Sequence, residues 1–217
     1  MNKIIIGTPR SGTSFVTKWY ANQYPQCIAL SEHRLFEHFE PDYPDWPELG
    51  DIKGIDNETQ KRINKIPPDY IFKMHSGPDM SKYIWDFVYQ RPIILVKRKD
   101  LLGQFISYGI GWTTFKWYWY PDWKNSNGIN GLKKGQTFHY KKEWFDNLVW
   151  RIEDLKKREK YLNIERTVLF EHLPHFPKNG DLMIKQNPKS NDEKLKLIDN
   201  ANEFLGWFRD WVGKWNQ

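Results

Sequence analysis

Four short stretches of the chain are continuously apolar and rich in β-branched residues: Ile4-Ile5-Ile6, Tyr70-Ile71-Phe72, Ile93-Ile94-Leu95-Val96 and Thr167-Val168-Leu169-Phe170. Residues 27–30 form a weaker fifth. Turn formers or charges bound each of them. A strand with one wet face alternates apolar and polar positions, whereas an unbroken run belongs to a strand buried on both faces. The runs therefore predict a mostly parallel sheet covered by helices.

The intervening segments have the helical period. Phe15, Val16, Trp19 and Tyr20 form one stripe, which stops at Pro25. Trp144, Phe145, Leu148, Val149, Ile152 and Leu155 form a longer one, with Arg151, Lys156, Lys157 and Arg158 largely outside it. Ser190 with Glu193 three residues on is a capping box, and Leu197, Ile198, Ala201, Phe204, Leu205, Phe208 and Trp211 follow it at helical spacing. Strands alternating with helices predict an α/β fold, taken here as one three-layer domain over residues 1–217. Residues 41–68, punctuated by Pro, Asp and Gly, read as a loop with one helix. Residues 108–140 read as a lid, its mobile part the Asn-, Gly- and Lys-rich 121–136.

The first apolar run leads into Gly7-Thr8-Pro9-Arg10-Ser11-Gly12-Thr13-Ser14. A strand feeding a glycine-bearing loop that opens a helix is an anion site, because loop amides and the positive end of the helix dipole meet there. The outline is that of a P-loop, G-x-x-x-x-G, without its lysine: Thr13 stands there, and the cation of the loop is Arg10. Metal-assisted phosphoryl transfer also needs an acidic residue at a second strand end. The third apolar run ends in Lys97-Arg98-Lys99 instead, which repels a divalent cation; Glu171 after the last run keeps a metal-assisted kinase open.

Composition narrows the picture. A chain of 217 residues buries a core without metal or disulfide help, and one cysteine, Cys27, allows no internal disulfide and fits a reducing compartment. The amino terminus enters a strand directly, so no signal peptide is expected. No run approaches the roughly 20 apolar residues of a membrane span. A soluble, cytoplasmic chain is expected. The net charge of +6 favours an anionic partner, whether nucleic acid, a lipid surface or a polyanionic small molecule, and the lysines are spread along the chain instead of clustered, which weighs against nucleic acid. Aromatic residues reach 17%, with 12 tryptophans, more than core packing requires.

Together these residues resemble the sulfotransferases that use 3′-phosphoadenosine 5′-phosphosulfate (PAPS). The PRSGT stretch, Pro9 to Thr13, looks like their 5′-phosphosulfate loop, with Arg10 as the loop cation. The run ending at Lys97-Arg98, followed by Ser107, resembles their 3′-phosphate motif. The spacing from Arg98 to Ser107 is one residue longer than usual and Lys99 has the usual spacing, so Arg98 or Lys99 is the ligand. Arg98 keeps the strand register and offers a bidentate fork. Phe72-Lys73-Met74-His75 resembles the strand end that carries a lysine on the transferring group and a histidine base. Val168-Leu169-Phe170-Glu171-His172-Leu173 resembles a late strand with no assigned role. The resemblance covers roughly residues 3–173.

The resemblance implies a P-loop-like fold, PAPS as donor, the product PAP (adenosine 3′,5′-bisphosphate) and no metal. It implies that Ser11, Gly12, Thr13 and Ser14 hold the 5′-phosphate and that Arg10 and Lys73 stabilise charge on the bridging oxygen. The base is His75 or Glu32. A histidine's unperturbed pKa of roughly 6.5 suits the task, while other branches place a glutamate about as far past the loop as Glu32, whose pKa burial would have to raise. His33, His38, His139, His172 and His175 lack such a context. The aromatic run 108–120 is an acceptor wall or a packed contact, and a carbohydrate or glycolipid hydroxyl is the favoured acceptor, ahead of small alcohols and phenols. Two other classes stay open: a P-loop kinase acting with ATP and magnesium, and a non-catalytic anion- or nucleic-acid-binding domain.

Overall fold

The structure, a computed structural model, describes residues 2–24, 26–31, 63–64, 66, 68–77, 82–114, 132, 135–173 and 190–215. Their elements in chain order are β1 (Asn2–Gly7), α1 (Thr13–Gln23), β2 (Ile28–Ser31), β3 (Tyr70–His75), α2 (Lys82–Tyr89), β4 (Ile93–Lys97), α3 (Leu101–Thr114), α4 (Lys142–Glu159), β5 (Ile164–Leu169), a 3-10 turn (Phe170–His172), α5 (Asn191–Leu195) and α6 (Ala201–Trp215). The chain divides into two compact units, one of residues 1–97 and 151–172 and the other of residues 98–150 and 173–217.

The first unit is an α/β layer structure. Its sheet has the order β2-β3-β1-β4-β5, and every pairing is parallel. The inner strands explain the unbroken apolar runs, since Ile4, Ile5 and Ile6 of β1 and Ile71 and Phe72 of β3 are wholly buried. Successive side chains of a strand point to opposite faces, and the two faces are covered differently. Ile4, Ile6, Phe72, Met74, Ile93 and Leu95 form one cluster with Ile84, Trp85, Phe87 and Val88 of α2 and Leu155 of α4. The other face carries Ile5, Ile71, Lys73, Ile94 and Val96, and α1 packs against β1, β2 and β3 through buried Phe15, Val16 and Tyr20.

β5 departs from expectation. Glu165, Arg166 and Thr167 are exposed and Val168 and Leu169 only half-buried, because β5 is an edge of the sheet. The strand also stops at Leu169, and Phe170 and Glu171 belong to the 3-10 turn.

The second unit is helical and built on rings. Phe105 of α3 lies against Phe145, Phe208 and Trp211, and wholly buried Tyr140 lies against Phe204 and donates its hydroxyl to the Phe105 carbonyl at 2.9 Å. Gly109 admits the Tyr140 ring, since a Cβ there would stand 2.4 Å from it. The capping box at Ser190 and Glu193 is present, but the continuous helix expected after it is not. The Leu197 carbonyl accepts from the Phe138 amide at 2.8 Å and the Asp199 amide donates to Phe138 at 3.0 Å, so Ile198 pairs with Phe138 as an isolated parallel bridge. That pairing separates α5 from α6, which restarts with Phe204 N–H on the Asn200 carbonyl at 3.1 Å. Residues 108–114, read above as the start of a lid, are the second half of α3. Residues 115–131, like most of 41–68, lie outside the described residues. Among the described residues no helix is long and apolar enough to cross a membrane.

Candidate functional site

β1 has β3 on one side and β4 on the other. The chain leaves β1 toward the β2–β3 side and later returns to the β4–β5 side. In a parallel sheet that reversal opens a crevice at the carboxyl ends of the strands, and the carboxyl end of β1 is Gly7, the first residue of the loop.

The loop is tight and mostly buried. Gly7 leaves no room for a side chain: a Cβ there would meet Ser11 Oγ at 2.4 Å, Thr13 Cγ2 at 2.7 Å and the Val96 carbonyl oxygen at 2.8 Å. The last of these is backbone of the neighbouring strand and has little freedom to move. Gly7→Ala is expected to destabilise the chain by about 2–3 kcal/mol, read as a lowered midpoint in urea denaturation. An unchanged midpoint would mean that the loop is not packed against β4 in this way.

Two residues of the loop take left-handed backbone angles. Gly12, at φ 97°, caps the start of α1 and has no side chain with which to satisfy its amides. Arg10 sits at φ 65°, a region that costs a residue with a Cβ about 1–2 kcal/mol. Such strain persists only where the surroundings enforce it, and it gathers at ligand clamps. The Ser11 amide donates to the Thr8 carbonyl at 3.1 Å, which closes the turn. Pro9 is buried, Thr13 is the first residue of α1 and 2% exposed, and Ser14 is half-buried. The Ser11 hydroxyl is completely buried and has no hydrogen-bond partner among the described residues.

The end of β3 meets this loop. Lys73 and His75 share the face of β3 that α1 covers. Lys73 is 4% exposed, and its ammonium reaches Ser14 Oγ across a long 3.4 Å contact. His75 Nε2 lies 2.8 Å from Thr13 Oγ1. The loop, a lysine and a histidine thus come together within the first unit from segments about sixty residues apart in sequence. Glu32, the other base candidate, lies outside the described residues, as do His33, His38 and His175.

The remaining candidates belong to the second unit. Arg98 and Lys99 directly precede α3, and Ser107 lies within it. Lys99 is exposed, whereas the Arg98 side chain is only 9% exposed and donates to Asp100 Oδ2 at 3.1 Å. Asp100 caps α3, its Oδ1 accepting from the Gly103 amide and from Asn191 Nδ2, each at 2.8 Å. Burial raises the Asp100 carboxyl pKa, but the Gly103 amide, Asn191 and the Arg98 guanidinium outweigh it and hold it below the usual carboxylate range. Lys194 is pushed below the usual lysine range by burial and by Arg98, with Asp100 opposing. Gly103 permits the cluster, since a Cβ would stand 2.0 Å from Asp100 Oδ2 and 2.8 Å from Arg98 Nη2.

Arg98 is legible in the sequence, but the residues that hold it are less so. Asp100 had a signal, an N-cap residue directly before an apolar helix; Asn191 and Lys194, some ninety residues on, had none. Among the described residues no group of three or more His, Cys, Asp or Glu is gathered as a metal would require. No protein-family model matches the chain, and no curated protein matches it.

Proposed function

We propose that the chain is a PAPS-dependent sulfotransferase that moves a sulfuryl group to an acceptor hydroxyl, with a carbohydrate or glycolipid as the favoured acceptor class. The observation that carries the reading is the convergence of Lys73 and His75 on the two hydroxyls that open α1, beside a loop whose cation is Arg10. On this reading the parallel sheet, with its loop at the carboxyl end of the central strand, is of the P-loop nucleotide-binding type.

The donor set fits a polyanion. Residues 7–14 contain an arginine, three hydroxyls beyond Thr8 and no carboxylate. The first amides of any helix lack intrahelical acceptors, and Gly12 caps those of α1 with no side chain. The orphaned Ser11 hydroxyl is a further buried donor, of the kind that calls for an explanation such as a bound species. When bound, PAPS supplies the activated sulfuryl group. Ser11 to Ser14 hold the 5′-phosphate, and Arg10 and Lys73 neutralise charge developing on the bridging oxygen. His75 or Glu32 takes the proton of the acceptor hydroxyl. Arg98 or Lys99, with Ser107, holds the 3′-phosphate. Of the two cations, Arg98 is the less exposed, and Asp100 orients its guanidinium.

The kinase reading has less support. The strands on either side of β1 end in His75 and Lys97, not in an acid, and Glu171 follows the edge strand β5. One titration separates the readings. PAP without metal is expected to raise the melting temperature far more than ATP with magnesium or an oligonucleotide does. Stabilisation by ATP only with magnesium would select the kinase, and stabilisation by oligonucleotide alone a binding domain. Sulfate-transfer screening over glycans, alcohols and phenols then identifies the acceptor.

A further inference from the structure

We infer that Arg151 is a positioning residue, acting through Ser76, that sets Lys73 and His75 against the loop. Ser76 follows His75 directly and is completely buried. It is tied on three sides within the first unit. Its amide donates to the Gly7 carbonyl at 3.2 Å, which continues the β1–β3 pairing to the first residue of the loop. Its hydroxyl donates to the Arg151 carbonyl at 2.8 Å. Arg151 Nη1 in turn donates to the Ser76 carbonyl at 2.8 Å.

The reciprocal pair joins the second half of α4 to the end of β3, and the next residue is shaped for it. A Cβ on Gly77 would meet Arg151 Nη1 at 2.6 Å, Cζ at 3.3 Å and Nη2 at 3.5 Å, so the guanidinium lies against bare backbone. Without the guanidinium the Ser76 carbonyl loses this partner, and without the whole reciprocal pair the bond from Ser76 to Gly7 is what remains for it among the described residues. His75, one residue away, then loses one of the constraints that hold Nε2 on Thr13. A displacement of about 1 Å at a reacting group costs as much as 10²-fold in rate.

The inference rests on the reading of Lys73 and His75 as part of the reacting site, and its test is chosen to stand apart from that reading. The measurement is the pH titration of the His75 ring by NMR, assigned among the six histidines by the resonance lost in His75→Gln. Ser76→Ala and Gly77→Ala leave the Arg151 charge in place. The first removes one bond of the pair; the second presses first on the flexible end of the guanidinium, the three nearest atoms all belonging to Arg151. Both are expected to move the His75 midpoint away from wild type, and Arg151→Gln to move it further, with Arg151→Lys restoring part of the difference. In transfer assays the same variants should lower kcat by about 10–100-fold with little change in the KM for donor.

A His75 titration unchanged in both Ser76→Ala and Gly77→Ala overturns the inference. Should Arg151→Gln fail to fold, those two variants decide alone. If PAP does not stabilise the wild-type chain, the sulfotransferase reading fails while the NMR result still decides the role of Arg151.

Discussion

Arg10→Ala is expected to lower sulfuryl transfer by about 10²–10³-fold, the effect of removing one preorganised group from a site of developing charge, while leaving the fold intact. Arg10 is half-buried in a loop whose framework is set by others: Gly7 against β4, the Ser11 amide on Thr8, and Thr13 on His75. Its backbone angle makes a second substitution informative. Alanine at φ 65° keeps the left-handed strain, whereas glycine adopts that conformation freely. Arg10→Gly is therefore expected to melt higher than Arg10→Ala, by the few degrees that about 1 kcal/mol represents in a chain of this size, and to be equally inactive. Calorimetry and transfer assays on the pair separate strain from charge. Activity near wild type in either variant would remove the loop cation from the mechanism.

His75→Gln is expected to lower turnover by about 10²–10⁴-fold with PAP affinity largely kept. Glutamine is chosen over alanine because of the 2.8 Å contact between His75 Nε2 and Thr13 Oγ1. A histidine in that contact has two roles to lose, as proton acceptor and as support for the first residue of α1. The glutamine amide reaches the position of Nε2 and preserves the support without the basicity. Slow turnover with intact PAP binding assigns the base to His75. Turnover near wild type makes His75 a structural partner of Thr13 and moves the base to Glu32, for which Glu32→Gln gives the complementary loss. Kinetics of the two variants, with calorimetry of PAP binding, carry the decision.

The parallel sheet and the strand-loop-helix at the amino terminus were legible because both are local. Unbroken apolar runs mark buried strands, and a glycine-bearing loop between a strand and a helical stripe announces itself within a dozen residues. The period of two along a strand also puts Lys73 and His75 of β3 on one face, whatever their partners. What was not legible depends on distance along the chain. The run at β5 looks like those at β1 and β4, and only its place at the edge of the sheet leaves Glu165, Arg166 and Thr167 in water. The apolar stripe through Leu197 and Ile198 is sound as a local signal, yet Phe138 takes that backbone into a bridge. α2 went unread because its eight residues are mostly aromatic or β-branched, with modest helix propensity. Ser76 and Arg151 meet across 75 residues, and nothing near either one announces the other.

Among the described residues β5 is the last strand on its side of the sheet, and this place has a consequence for how these molecules meet in a crowded solution. An outermost strand offers unpaired amides and carbonyls to any extended chain that passes, and proteins guard against such recruitment with charge. Here the guard is an alternating acid and base, Glu165 and Arg166, with Glu165 also tethered to Lys3. Docking a further strand would strip water from both charges, so growth of the sheet from one copy into the next is disfavoured along this border.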